Sequence, residues 1–71
     1  MSNVYVYEQG AILKYKENRL IINYSENDFK SIPIENIDNI VIFGAIQVST
    51  KCVQQMLTRG VKYLQLLNLK D

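Results

Sequence analysis

Three cations, Lys14, Lys16 and Arg19, are the residues whose type and spacing come nearest to a ligand-binding chemistry in this 71-residue chain. Lys14 and Lys16 stand two apart, which on a strand puts both on one face, and Arg19 follows a two-residue turn. Such a cluster offers a weak contact to a nucleic-acid phosphate backbone. It serves better as a charged, solvated device that keeps a sheet edge from aggregating. A domain that binds nucleic acid unaided usually shows a marked basic excess. The net charge here is only +1, which argues against an autonomous DNA-binding domain.

Catalytic chemistry has little to work with. The chain has no histidine, so the commonest general base and metal ligand is missing. Cys52, the single cysteine, lies among apolar residues at helical spacing and lacks an activating base, which makes it a small core residue. Glu26 and Asp28 share one loop, and two carboxylates on a loop make a poor cation site. None of the three glycines belongs to a phosphate-cradling motif. Tyr5, Tyr7, Tyr15, Tyr24 and Tyr63 could stack bases on a sheet face, but half-buried packing or a protein interface suits strand tyrosines better. No catalytic, metal-binding or cofactor-binding residue is expected in this chain.

The elements that position these residues are mostly strands. Val4 to Tyr7 is β-branched and aromatic. After the turn Glu8-Gln9-Gly10, Ile12 to Lys16 alternates, with Leu13 and Tyr15 on one face and the two lysines on the other. Glu17-Asn18 turns the chain into Arg19 to Tyr24, where Leu20, Ile22 and Tyr24 share a face. A loop, Ser25 to Asp28, leads to Phe29 to Ile34, whose Pro33 belongs at a sheet edge or strand end. The uninterrupted apolar run Ile40 to Phe43 reads as a strand buried on both faces, ending at Gly44.

One segment changes period. From Ser49 to Arg59 the apolar residues Cys52, Val53, Met56 and Leu57 form a helical stripe. Ser49 or Thr50 supplies the cap, and Gly60 ends the helix before a last strand over Val61 to Leu67. The expected fold is α+β and mostly β: an antiparallel β-meander of about six or seven short strands with one packed α-helix. A single domain covers residues 1–71.

Size constrains the rest. A chain this short buries only roughly 60% of its unfolded surface, and one cysteine cannot form an internal disulfide. Open strand edges and apolar faces are normally paired or covered, so the chain is expected to be a homodimer. No apolar stretch approaches a membrane span, and the N-terminus lacks the pattern of a signal peptide, which points to a cytoplasmic protein without membrane contact.

An ordered series of short motifs resembles a known family. It begins at Val4-Tyr5-Val6 and Gln9-Gly10-Ala11, and continues through Arg19 to Ile22 and Ile32-Pro33-Ile34. Ile37, Ile40 to Gly44, Gln47 to Thr50 and Leu57 to Val61 complete it. Together they resemble the N-terminal β-rich domain of the universal CRISPR adaptation integrase, the metal-dependent DNA endonuclease that inserts new spacers in antiviral defence. The resemblance implies a scaffold and dimerisation domain, with DNA and a second small CRISPR adaptation protein as partners of the full-length protein. It places the family's magnesium or manganese ligands in a C-terminal helical domain that has no counterpart here, so this chain is expected to be inactive alone. The series departs from the family pattern after Leu66. The competing reading is a self-contained small β-rich binding or regulatory module unrelated to CRISPR.

Overall fold

A computed structural model describes residues 2–66. Among the described residues, seven strands and one α-helix run in the order β1 (Ser2–Val6), β2 (Ile12–Lys16), β3 (Arg19–Ser25), β4 (Asp28–Pro33), β5 (Ile37–Phe43), β6 (Gln47–Val48), α1 (Thr50–Thr58) and β7 (Lys62–Leu66). A 3-10 turn over Ile34–Asn36 joins β4 to β5. The mostly-β, α+β class is as the sequence led us to expect. The last strand begins at Lys62, and the expected extension to Leu67 lies outside the described residues.

The strands form two sheets, ordered β1-β5-β7 and β4-β3-β2-β6. The expected antiparallel meander is correct for β2, β3 and β4, which pair consecutively. It fails for the other sheet, where β1, β5 and β7 are all parallel, and β6 also runs parallel to β2. Parallel neighbours need a long crossover between them. The whole β2–β4 meander is the crossover from β1 to β5, and α1 lies in the crossover from β5 to β7. Local periodicity reports which residues alternate and carries no information about which distant strand lies alongside.

Turn chemistry explains the local geometry. Glu17 and Asn18 both adopt positive φ (51° and 65°), as a tight two-residue hairpin requires. Pro33 ends β4, which is an edge strand, so its missing N–H disrupts no ladder. Ser49 is the helix cap: its Oγ accepts from the Cys52 N–H at 3.2 Å. At the other end Gly60 sits at φ +78°, the Val61 N–H donates to Met56 O, and the Gly60 N–H donates to Leu57 O. That pair of bonds is a Schellman exit.

The core lies between the sheets. Val6, Ile40 and Ile42 of the parallel sheet face Leu13, Leu20 and Ile22 of the antiparallel one, and all are buried. Helix α1 packs on β2 and β7 and adds Cys52 and Met56 to the same cluster. Two expectations need correction. Leu57 does not belong to the buried stripe: it is largely exposed, because Cys52 and Met56, one turn apart, define the line facing the core. Nor is β5 buried on both faces. Ile40 and Ile42 are enclosed, but Val41 is only half-buried and Phe43 is exposed, because no layer of the chain covers the far side of that sheet among the described residues.

Candidate interaction faces

Two surfaces stand out, one on each sheet. The first is the outer face of β1-β5-β7. Strand register aligns Tyr5 with Val41 and Leu64, and aligns Asn3 with Asn39 and Lys62. Phe43 pairs with Leu66, and Tyr7, just beyond β1, sets its ring edge-on to Phe43 at 6.2 Å between centroids. The strand starts are therefore polar: Asn39 Nδ2 donates to Asn3 Oδ1 at 2.6 Å, with Lys62 in the same row. The middle and ends of the strands are apolar. A shallow depression of about 300 Å³ lies over this face, between the Asn3–Asn39 pair, Tyr5, Val41, Lys62 and Leu64.

On β7 the usual alternation is inverted, and this is why sequence reasoning missed the face. Leu64 and Leu66 point outward, whereas Tyr63 and Gln65 point inward and are half-buried. Hydrogen bonds make this tolerable: Tyr63 Oη donates to Gln65 Oε1 at 2.7 Å, and Gln65 Nε2 donates to Ile46 O at 3.0 Å. A buried polar group with its bonds made costs little, so the inward glutamine is accommodated. The signal available in the sequence was the pair Leu64 and Leu66 two residues apart, which alone does not say which side of a sheet it faces.

The second surface carries the sequence-identified cations. Lys14 and Lys16 on β2 and Arg19 on β3 do share one face, with Lys16 directly opposite Arg19 and Lys14 opposite Ile21. Ser31 and Pro33 of β4 continue those rows, and Arg19 Nε donates to Ser31 Oγ at 2.6 Å. Arg59 had not been grouped with these cations. It reaches from the end of α1 to the β2–β3 turn, donating to Asn18 Oδ1 at 2.5 Å and to Tyr15 Oη at 3.3 Å. Its distance in sequence, 44 residues from Tyr15, hid this from any local reading.

The remaining candidates fall into structural roles. Cys52 is buried, and burial pushes its thiol up to about 11, away from a nucleophile's range. Tyr15, Tyr24 and Tyr63 pack half-buried against the core, while Tyr5 and Tyr7 are exposed. A divalent-metal centre does not fit the donor set: the chain has no histidine, and the described residues bring no three ligating side chains together. Among the described residues no helix is long and apolar enough to cross a membrane.

Comparison with known proteins gives a consistent outcome. A family model described as CRISPR associated protein Cas1 matches residues 4–68. A curated relative, CRISPR-associated endonuclease Cas1 3 of Thermodesulfovibrio yellowstonii, is 38% identical over 60 residues, covering 84% of this chain and 18% of the relative. A solved Cas1 protein from Thermotoga maritima superposes with a TM-score of 0.70 at 24% identity, over 90% of this chain and 21% of the other. The chain thus spans about a fifth of the length of the proteins it matches.

Proposed function

Because the chain belongs to the CRISPR-associated protein Cas1 family, we propose that it is a scaffold and dimerisation domain of the kind that carries a metal-dependent DNA endonuclease and integrase. The observation that carries this reading is the uncovered apolar face of β1-β5-β7 on a module that corresponds to only 18% of a Cas1 endonuclease. A two-sheet core with one face open among the described residues is suited to holding other parts in place. The chemistry of spacer acquisition then belongs to other parts of the assembly, together with the divalent metal, for which the described residues gather no ligand set. Its working partners are a second copy, DNA and a second small adaptation protein, in the cytoplasm. Lys14, Lys16 and Arg19 contribute at most a weak contact to the DNA backbone, since three cations release few counterions.

Two measurements test this. Sedimentation equilibrium at micromolar concentration should give a homodimer, and a stable monomer with a cooperative melting curve would refute the dimerisation role. Incubation of the pure chain with DNA and magnesium or manganese should give no cleavage above buffer. Robust, chelator-sensitive cutting would overturn the assignment of the chemistry elsewhere.

A further inference from the structure

We propose that the outer face of β4-β3-β2 docks an extended acidic segment of a different protein, in which an apolar residue precedes two carboxylates at alternate positions. Strand register lays this face out in three rows. Ile12 shares the first with Phe29, Lys14 the second with Ile21, and Lys16 the third with Arg19. No carboxylate occupies these rows: Glu17 lies in the β2–β3 turn and Asp28 at the start of β4. All the charge on the face is therefore positive and gathers toward one end. Phe29, 63% exposed, and Ile12, 36% exposed, mark the other. A depression of about 460 Å³, lined by Ile12, Lys14, Gln47 and Thr50, adjoins that apolar end. This is not the sheet that carries the dimerisation reading, so the two surfaces stand or fall separately.

Charge and spacing define the occupant. Rows on one face of a strand repeat every two residues, about 6.7 Å, and so do alternate side chains of an extended peptide. A segment lying along β2 and β3 sets one carboxylate at Lys14 and the next, two residues on, between Lys16 and Arg19. Its apolar residue, two positions earlier, then covers Ile12 and Phe29. Arg19 is already oriented for this contact. Its Nε donates to Ser31 Oγ at 2.6 Å, which leaves the terminal nitrogens, without a partner among the described residues, as a fork for a carboxylate. A donor held in place loses less freedom on binding than a free one. From the first row to the third the face spans only about 13 Å, room for about five extended residues and well short of a standard interface between domains. A phosphate backbone would meet the same cations but leave Phe29 and Ile12 in water. Apolar contacts bordered by charge are the ordinary make-up of a protein interface.

The test uses the full chain and a fluorescein-labelled peptide, Leu-Thr-Glu-Thr-Glu flanked by Gly-Ser. Fluorescence anisotropy at low salt should give a dissociation constant of about 10–100 μM. A peptide with lysine in place of both glutamates should not bind measurably. Phe29→Ala and Arg19→Ala should each weaken binding about 10-fold, and Arg19→Lys nearly as much, because an ammonium does not reproduce the fork. Both positions are exposed, so circular dichroism should be unchanged. If Phe29→Ala fails to fold, Ile12→Thr, which keeps the β-branch, takes its place. Equal binding of the acidic and lysine peptides, or acidic-peptide binding that neither Phe29→Ala nor Arg19→Ala weakens, would overturn the site. A labelled DNA duplex that binds more tightly than the peptide, and does not weaken with Phe29→Ala, would make the face a phosphate contact and overturn the protein partner. Neither result bears on dimerisation, which sedimentation reads separately.

Discussion

The side-chain amide of Gln9 lies directly over the bare Cα of Gly44. From there Gln9 Nε2 donates to the Phe43 carbonyl at 3.2 Å across 34 residues of sequence. This contact ties the turn after β1 to the end of β5, beside the Tyr7–Phe43 aromatic pair on the open face. Gly44 is held at φ +93°, where a side chain is strained, and a Cβ there would collide with the Gln9 amide. Gly44→Ala should therefore cost about 1–3 kcal/mol in urea unfolding. Adding Gln9→Ala should relieve the collision and leave the backbone strain. A double variant no more stable than Gly44→Ala alone would show that the collision contributes nothing.

The helix supplies a matched pair. Met56 is fully buried, and its truncation to alanine should cost on the order of 2–5 kcal/mol, enough to unfold much of so small a domain. Leu57, the next residue, is largely exposed, so Leu57→Ala should change stability by no more than about 0.5 kcal/mol. Thermal melts of the two variants provide the check, and equal losses would mean that the helix is rotated from the position described.

Stability should fall at high pH through Cys52. Burial raises its thiol from the ordinary value of 9.0 to about 11, so the folded state keeps the proton where the unfolded state has lost it. The unfolded chain therefore binds fewer protons between about pH 9 and 11, and unfolding becomes easier as pH rises through that window. Below it the contribution is fully present. The loss should be on the order of 2 kcal/mol by pH 11. Tyr63, also raised by burial, acts in the same direction above its ordinary value of 10.0. Urea melts of wild type and Cys52→Ala across pH 7–11 test this, since the variant should lose less stability over the window.

Binding to DNA should be weak and steeply weakened by salt. Three cations on the outer face of β2-β3 give a logarithmic salt slope of no more than about −3. Fluorescence anisotropy with a labelled duplex, from 20 to 200 mM salt, should show this, and Lys14→Glu with Lys16→Glu should abolish the residual affinity. A submicromolar complex at physiological salt, lost on the same double substitution, would favour a self-contained binding module over a scaffold.

Much of the local structure was determined by the sequence alone. The alternation of Leu13 and Tyr15 with Lys14 and Lys16 put the cations on one face, and the meander β2–β4 followed from turn residues between short strands. Ser49 and Gly60 marked the helix ends, and the lack of histidine removed the commonest general base and metal ligand before any fold was known. These are properties of neighbouring residues. What only the tertiary structure decided is which strands lie side by side. The β1-β5-β7 sheet joins residues 2–6, 37–43 and 62–66, and its parallel pairing rests on long crossovers that no local period records. That pairing determines which side of each strand remains open. It sets Tyr5, Val41 and Leu64 in one exposed row and turns Tyr63 and Gln65 inward, and it leaves Leu57 outside the core while Met56 is enclosed. A strand's two faces are equivalent until a second layer covers one of them, and that choice is made by packing across the whole chain.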